Sequence, residues 1–381
     1  MEETAQPRML VLARESRTMT QGELAAVMQE LDGSESKVSQ GYVSRAEAGR
    51  LVVAGDRLEL FARALRYPVS LLLRSEQEVG AGPGLVHHRK KQSASAGDLR
   101  RIHAVLNLAR IQLRALAVVV PRPSERIPHI PVDDYYTPED AARELRQSWS
   151  VPDGPLPSVV RLLEQAGGLV ACRALVEPVP LDSGAEVVPV DAVSTCPPNE
   201  DPVVLLNVGT PAERQRFTLA HELGHAVLHP VPHPEQEKQA NAFAAELLLP
   251  ARELSPQLQG TVDVPRLLEL KAQWQVSMWA LLRRAHTLGA LSDWQYRSLA
   301  VELTSLGYRT REPNELPVET PTAIDSMVDW HLQHGHTVDE LAETAGLMPD
   351  EFTQLYLPPS RSAGRGPAER SVSSTHAEAV Q

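Results

Sequence analysis

The chain has 381 residues, 42% of them hydrophobic and 23% charged, so it is of globular composition and too long for one ordinary core. A net charge of −12 argues against a protein that coats nucleic acid through a bulk positive field, so any DNA contact must come from a local surface. Cys172 and Cys196 stand in no Cys-x-x-Cys spacing, which excludes a disulfide scaffold or thiolate zinc knuckle and fits a reducing, cytoplasmic setting. Residues 1–8 do not read as a secretory leader, and no run approaches the 18 or so consecutive apolar residues of a membrane span.

In chain order, apolar residues recur at three- and four-residue spacing from Met9 to Arg74, which predicts a small all-helical domain. A glycine, serine and basic stretch over 76–97, with His87-His88-Arg89-Lys90-Lys91, lacks periodicity and reads as a linker. Ile102, Val105, Leu106, Ala109, Leu113 and Leu116 then predict a connecting helix over 98–119, closed by Pro121 and Pro123. Helices over 138–149 and 157–165 and extended segments over 168–175 and 202–208 make the next region α+β. Helical patterns return over 264–302 and again over 323–356, and a Ser, Arg, Gly and Ala-rich tail follows Pro358 and reads as disordered.

The strongest chemical signal is His221-Glu222-Leu223-Gly224-His225. Thr210-Pro211-Ala212-Glu213 supplies a cap oxygen, a proline for the first turn and a glutamate placed to close a capping box, so a helix is expected to start there. On that helix His221 and His225 stack one turn apart, where both imidazoles can meet a zinc ion at about 2.0–2.1 Å. Glu222 is then placed to act as general base on the attacking water. A catalytic zinc site needs a third protein ligand. Glu237 fits, because the stripe Ala240, Phe243, Ala244, Leu247 and Leu248, extended one turn back, reaches it. Glu246 is the rival, but lies off that stripe and is expected to face solvent. Asn241 is placed to hold a ligating histidine ring. His229 continues the histidine face, yet a fourth protein ligand would close the open position, so packing or capping is the plainer reading. Manganese or iron would also suit a His, His, Glu set.

Near the N-terminus, Thr20-Gln21-Gly22-Glu23-Leu24 reads as a capped helix start and Val38 to Arg45 as a second short helix, together a helix-turn-helix. In that motif the second helix enters the major groove, which makes Ser39, Gln40, Tyr42, Ser44 and Arg45 the DNA-facing candidates. Gln suits adenine, and Arg suits guanine or phosphate. A helical bundle with a solvated polar face is the plain alternative. Thr337 to Phe352 has a similar rhythm, but its acidic faces make it structural.

Thr20-Gln21 and Glu23-Leu24-Ala25, with Ser39 to Arg50, resemble the XRE family of phage-repressor-like DNA-binding domains; an insertion around Glu30 to Lys37 departs from that family's tight turn. Arg214 to His225, with Glu237, Ala240-Asn241, Phe243-Ala244 and Leu247 to Pro250, resembles the ImmA/IrrE metallopeptidase family over residues 157–299. This second resemblance implies a zinc peptidase with His221, His225 and Glu237 as ligands and Glu222 catalytic, in a family with members that cut helix-turn-helix repressors.

The expectation is therefore a mainly α protein with a small α+β domain. It comprises a five-helix helix-turn-helix domain over 1–76, a linker and connecting helix over 77–125, a zincin-like metallopeptidase domain with a small sheet over 126–310, a helical extension over 311–357 and a tail over 358–381. The partners implied are a DNA operator and a protein substrate of the helix-turn-helix repressor type, with Zn2+ as cofactor and no membrane. Two operator half-sites would favour a homodimer. The alternatives are a transcription factor whose peptidase-like domain senses without turnover, and an antitoxin-like regulator.

Overall fold

The computed structural model describes residues 3–33, 37–75, 86–90, 95–121, 126–175, 179–180, 186–187, 190–196, 200–231, 233–309 and 311–357, of which 86–90, 179–180 and 186–187 are described as backbone only. The tail expected to be disordered lies outside the described residues.

Five helices open the chain: α1 (Pro7–Ser16), α2 (Gln21–Asp32), α3 (Gln40–Glu47), α4 (Gly55–Leu65) and α5 (Val69–Leu72). Proline stands at the start of α1, where its missing N–H costs nothing. Thr20 and Glu23 close the capping box expected for α2. Part of the insertion after Glu30 lengthens α2 to Asp32, and Gln29 donates across the gap to the Val38 carbonyl at 2.5 Å. Arg14 donates to both Glu47 carboxylate oxygens at 2.5 and 3.0 Å, and Gln21 adds a third bond at 2.8 Å, so one buried carboxylate ties α1, α2 and α3 together.

The stretch over 76–97 read as a linker contains a strand, β1 (Val86–Lys90), which that reading did not include. A strand gains its backbone partners from a distant segment, so a stretch without apolar periodicity can still add to a sheet edge. After it come α6 (Ala96–Ala117), α7 (Pro138–Ser148), α8 (Val159–Gln165), β2 (Leu169–Arg173), β3 (Val179–Pro180), β4 (Glu186–Val187), β5 (Val190–Thr195) and β6 (Val203–Asn207). One sheet has the order β1-β5-β6-β2, antiparallel except for the β6/β2 pair, and β3 with β4 forms a separate hairpin.

The remainder is helical: α9 (Ala212–Leu228), α10 (Gln236–Leu248), α11 (Ala251–Leu254), α12 (Val264–Trp274), α13 (Met278–Thr287), α14 (Asp293–Ser305), α15 (Ala323–Gln333), α16 (Val338–Ala345) and α17 (Pro349–Tyr356). The protein is thus mainly helical with a small sheet. Among the described residues no helix is long and apolar enough to cross a membrane.

Two apolar clusters meet at the sheet. Ala171, Val193, Val203 and Leu205 turn to one face, where they join α1 to α6 and α15 to α17. Val170, Ala192, Val204 and Leu206 turn to the other, where they join α7 to α10 and α12 to α14. The period-two alternation of a strand puts successive residues of β2 and β6 into different cores. Helix α6 is no exposed connector: Asn107, Arg110 and Gln112 are buried along with its apolar stripe, and Tyr356 of α17 donates to Gln112 at 2.9 Å. The acidic start of α17 pairs with the first five helices, Glu351 with Arg17 at 2.7 Å and Asp350 with Arg66 at 2.8 Å. Between α16 and α17, Gly346 is left-handed (φ 72°), and a Cβ there would lie 2.9 Å from Leu71 Cδ1.

Candidate metal centre

Helix α9 follows β6 directly and is buried on nearly every side, 14 of its 17 residues being inaccessible. Its start is not the expected capping box: Pro211 is the cap residue, and no side chain caps the helix. Glu213 has a different partner, the Nζ of Lys271 on α12 at 3.0 Å, which also donates to Glu312 at 2.9 Å. Lys271 is wholly inaccessible, and a buried ammonium needs carboxylate acceptors more than a helix end needs a cap.

One turn apart on α9, His221 and His225 are each 1% exposed and bring their Nε2 atoms to 3.1 Å. Helix α10 crosses α9 at Gly224, where a Cβ would meet Phe243 Cδ1 at 3.1 Å and Ala240 Cα at 3.2 Å. This close approach carries the first turn of α10 over the histidine pair. Glu237 there sets one carboxylate oxygen 3.4 Å from His221 Nε2 and the other 3.4 Å from His225 Nε2. The two imidazoles hold its carboxyl well below the usual carboxylate range against the opposing effect of burial. The Glu237 side chain is 55% exposed, so it stands on the rim and not on a buried face as its stripe suggested.

Glu246 differs in the opposite sense. It was expected to face solvent, yet it is 1% exposed and joins Arg284 and Arg143, the latter at 3.0 Å. Two guanidiniums balance its charge in the interior, something a helix pattern cannot reveal.

His221, His225 and Glu237 are the residues among those described that could hold a metal ion, with donor atoms all within 4.8 Å of one another. Donors arranged tetrahedrally about zinc at about 2.0–2.1 Å lie about 3.3 Å apart. The observed 3.1, 3.4 and 3.4 Å match that edge length, so the residues fit such an ion.

Glu222 is 2% exposed and sits beside the pair against β5. Ser194 of β5 donates to its Oε2, while Oε1 has no hydrogen-bond partner among the described residues. Ser194 and β5 itself were missed in the sequence. The run Val190–Thr195 mixes polar and apolar residues without a strict alternation yet is buried throughout, with Asp191 paired to Arg214 and Ser194 to Glu222.

Asn241 does not reach an imidazole; it is exposed and donates to the Glu237 carbonyl at 2.6 Å. His229 takes up a neighbouring position at the end of α9, with its Nδ1 3.2 Å from His225 Nδ1 and its Nε2 2.8 Å from Gln239 Oε1. Burial pushes the His229 ring down to about 4, although the Gln239 bond opposes this. It is not among the residues whose donor atoms converge, which are His221, His225 and Glu237.

In the N-terminal helices, Ser39 caps α3 by accepting from Tyr42 N at 3.3 Å, and Tyr42 is half-buried and stacks on Phe61. Gln40 and Arg45 are exposed and Ser44 is partly so.

Residues 186–286 match the family model Peptidase_M78, described as an IrrE N-terminal-like domain. This region, which contains β5, β6, α9 and α10, is therefore similar to a metallopeptidase-type domain. No curated protein shows significant similarity to the chain.

Proposed function

We propose that the chain is a DNA-binding transcriptional regulator whose second half is a zinc-dependent endopeptidase acting on a repressor-type protein. The observation that carries the peptidase reading is the convergence of His221, His225 and Glu237 at tetrahedral spacing with the Glu222 carboxylate alongside. The match over residues 186–286 supports it.

A zinc ion held by His221, His225 and Glu237 would supply Lewis acidity there. The rest of the chemistry belongs to the chain. Glu222 Oε1, which no donor among the described residues occupies, accepts the proton of the attacking water and passes it to the departing amine. Ser194 holds the other carboxylate oxygen and so fixes which one faces the reaction. Burial of the pair excludes bulk water that would compete for the proton.

The DNA-binding reading rests on the capped α2 and α3, braced through Arg14 and Glu47, with Gln40, Ser44 and Arg45 left outward. Ser39 and Tyr42, also expected at DNA, have structural partners as well, which shifts the base-reading role toward Gln40 and Arg45. The near-complete burial of Glu222 favours one second reading, a sensor that binds metal without turnover.

One experiment separates the readings. Purified chain is analysed for zinc and incubated with the products of neighbouring genes, and cleavage is followed by mass spectrometry. Glu222→Gln is expected to keep its zinc and lose about 10²–10⁴-fold in cleavage rate. Cleavage unchanged by that substitution overturns the mechanism, and a zinc-loaded wild type that cuts none of them leaves the sensor.

A further inference from the structure

The ring of His225 is held from behind by two residues that the cleavage chemistry does not use. Its Nδ1 lies 3.2 Å from His229 Nδ1, and His229 Nε2 lies 2.8 Å from Gln239 Oε1. His225 and His229 are 1% and 6% exposed, so both rings lie away from bulk solvent. The three residues come from both helices of the site: His225 and His229 from the end of α9, Gln239 from the first turns of α10, one turn or less from Glu237.

Protons along such a chain have one direction. The Gln239 carbonyl oxygen can only accept, so His229 Nε2 must carry the hydrogen. In a neutral ring this leaves His229 Nδ1 as an acceptor, and the atom facing it among the described residues is His225 Nδ1, which must then donate. A neutral His225 protonated at Nδ1 has its lone pair on Nε2, the atom that lies 3.1 Å from His221 Nε2 and 3.4 Å from Glu237. That is the tautomer a metal ligand needs.

We propose that Gln239 and His229 are positioning residues of the metal centre, a hydrogen-bond relay that fixes the His225 tautomer and presents its Nε2 lone pair to a divalent cation. The inference rests on the metal-centre reading but not on peptidase activity. It also explains why a third histidine follows the pair at the same spacing: at the helix end His229 reaches Gln239 and not the cluster.

The test is zinc affinity of the full chain, measured by competition with a chromophoric chelator, for wild type, His229→Ala, Gln239→Leu and Gln239→Glu. His229→Ala and Gln239→Leu are expected to bind zinc about 10–100-fold more weakly. Gln239→Glu, which keeps an acceptor of the same shape, is expected to bind at least as tightly as wild type. Gln239 is partly exposed, so its substitutions leave the fold in place, and thermal unfolding of the metal-free proteins checks this for them and for the buried His229→Ala. Wild-type affinity in Gln239→Leu overturns the relay, and so does weak binding by Gln239→Glu, since it means that the amide donates. A wild type that binds no zinc overturns the metal-centre reading instead. Nitrogen-15 imidazole spectra of the metal-free chain then still decide the relay, which requires His225 protonated at Nδ1 in wild type and not in Gln239→Leu.

Discussion

Helices α9 and α3 carry the residues for which the sequence suggests chemistry, and they are built in opposite ways. Helix α9 is buried in 14 of 17 positions, α3 in two of eight, Val43 and Ala46. At α9 the site is located by packing: Ser194 holds Glu222, His229 lies behind His225, and the close crossing at Gly224 places Glu237 of α10. In α3 the inner side is fixed, by Ser39 at the cap and Tyr42 on Phe61, and Gln40 and Arg45 are exposed. A centre made by packing is sensitive to single atoms and buried charges, whereas a surface made by exposure is sensitive to the ligand and to salt.

That contrast breaks most severely at Lys271. Replacing it by methionine leaves Glu213 and Glu312 buried without their shared cation, and a loss of about 3–5 kcal/mol in unfolding free energy is expected in urea titrations. A loss below about 1 kcal/mol, the range of a surface pair, would mean that the start of α9 is not anchored from within. The Gly224→Ala substitution is next. The added methyl must displace the backbone of Ala240 or the ring of Phe243, at a cost of about 1–3 kcal/mol, and it should weaken zinc binding by pushing Glu237 off the histidines. Unaltered zinc affinity would separate the crossing from the ligand geometry. The smallest effect on the fold is expected at α3. Arg45→Ala should change stability by no more than about 0.5 kcal/mol, while operator affinity falls and its salt dependence flattens by about one ion if Arg45 meets a phosphate. DNA binding indifferent to Arg45 and to Gln40→Ala would remove α3 from the interface.

How legible the molecule was in its sequence follows the range of the forces involved. Helices such as α2, α7 and α8 could be read because their signals lie within one turn: a cap oxygen, a first-turn acid, an apolar residue every three or four. The strand β5 could not be read, since its polar residues are buried and their partners Glu222 and Arg214 lie some twenty to thirty positions away. The same limit explains Glu213 and Glu246. Each was assigned from its own helix, and each is decided by a distant cation, Lys271 or Arg284.

The sequence by itself determined that two histidines stand one turn apart on a helix with an acid beside the first, because helical spacing is set by the backbone and needs no knowledge of neighbours. It also determined that Glu237 begins the next helix. Only the tertiary structure decided that this helix crosses at Gly224 closely enough to bring the carboxylate to the imidazoles, and that Ser194, His229 and Gln239 stand behind them. Apart from His225 and His229 on one helix, those contacts join separate elements, α9 with β5 and with α10, and only packing sets their distance.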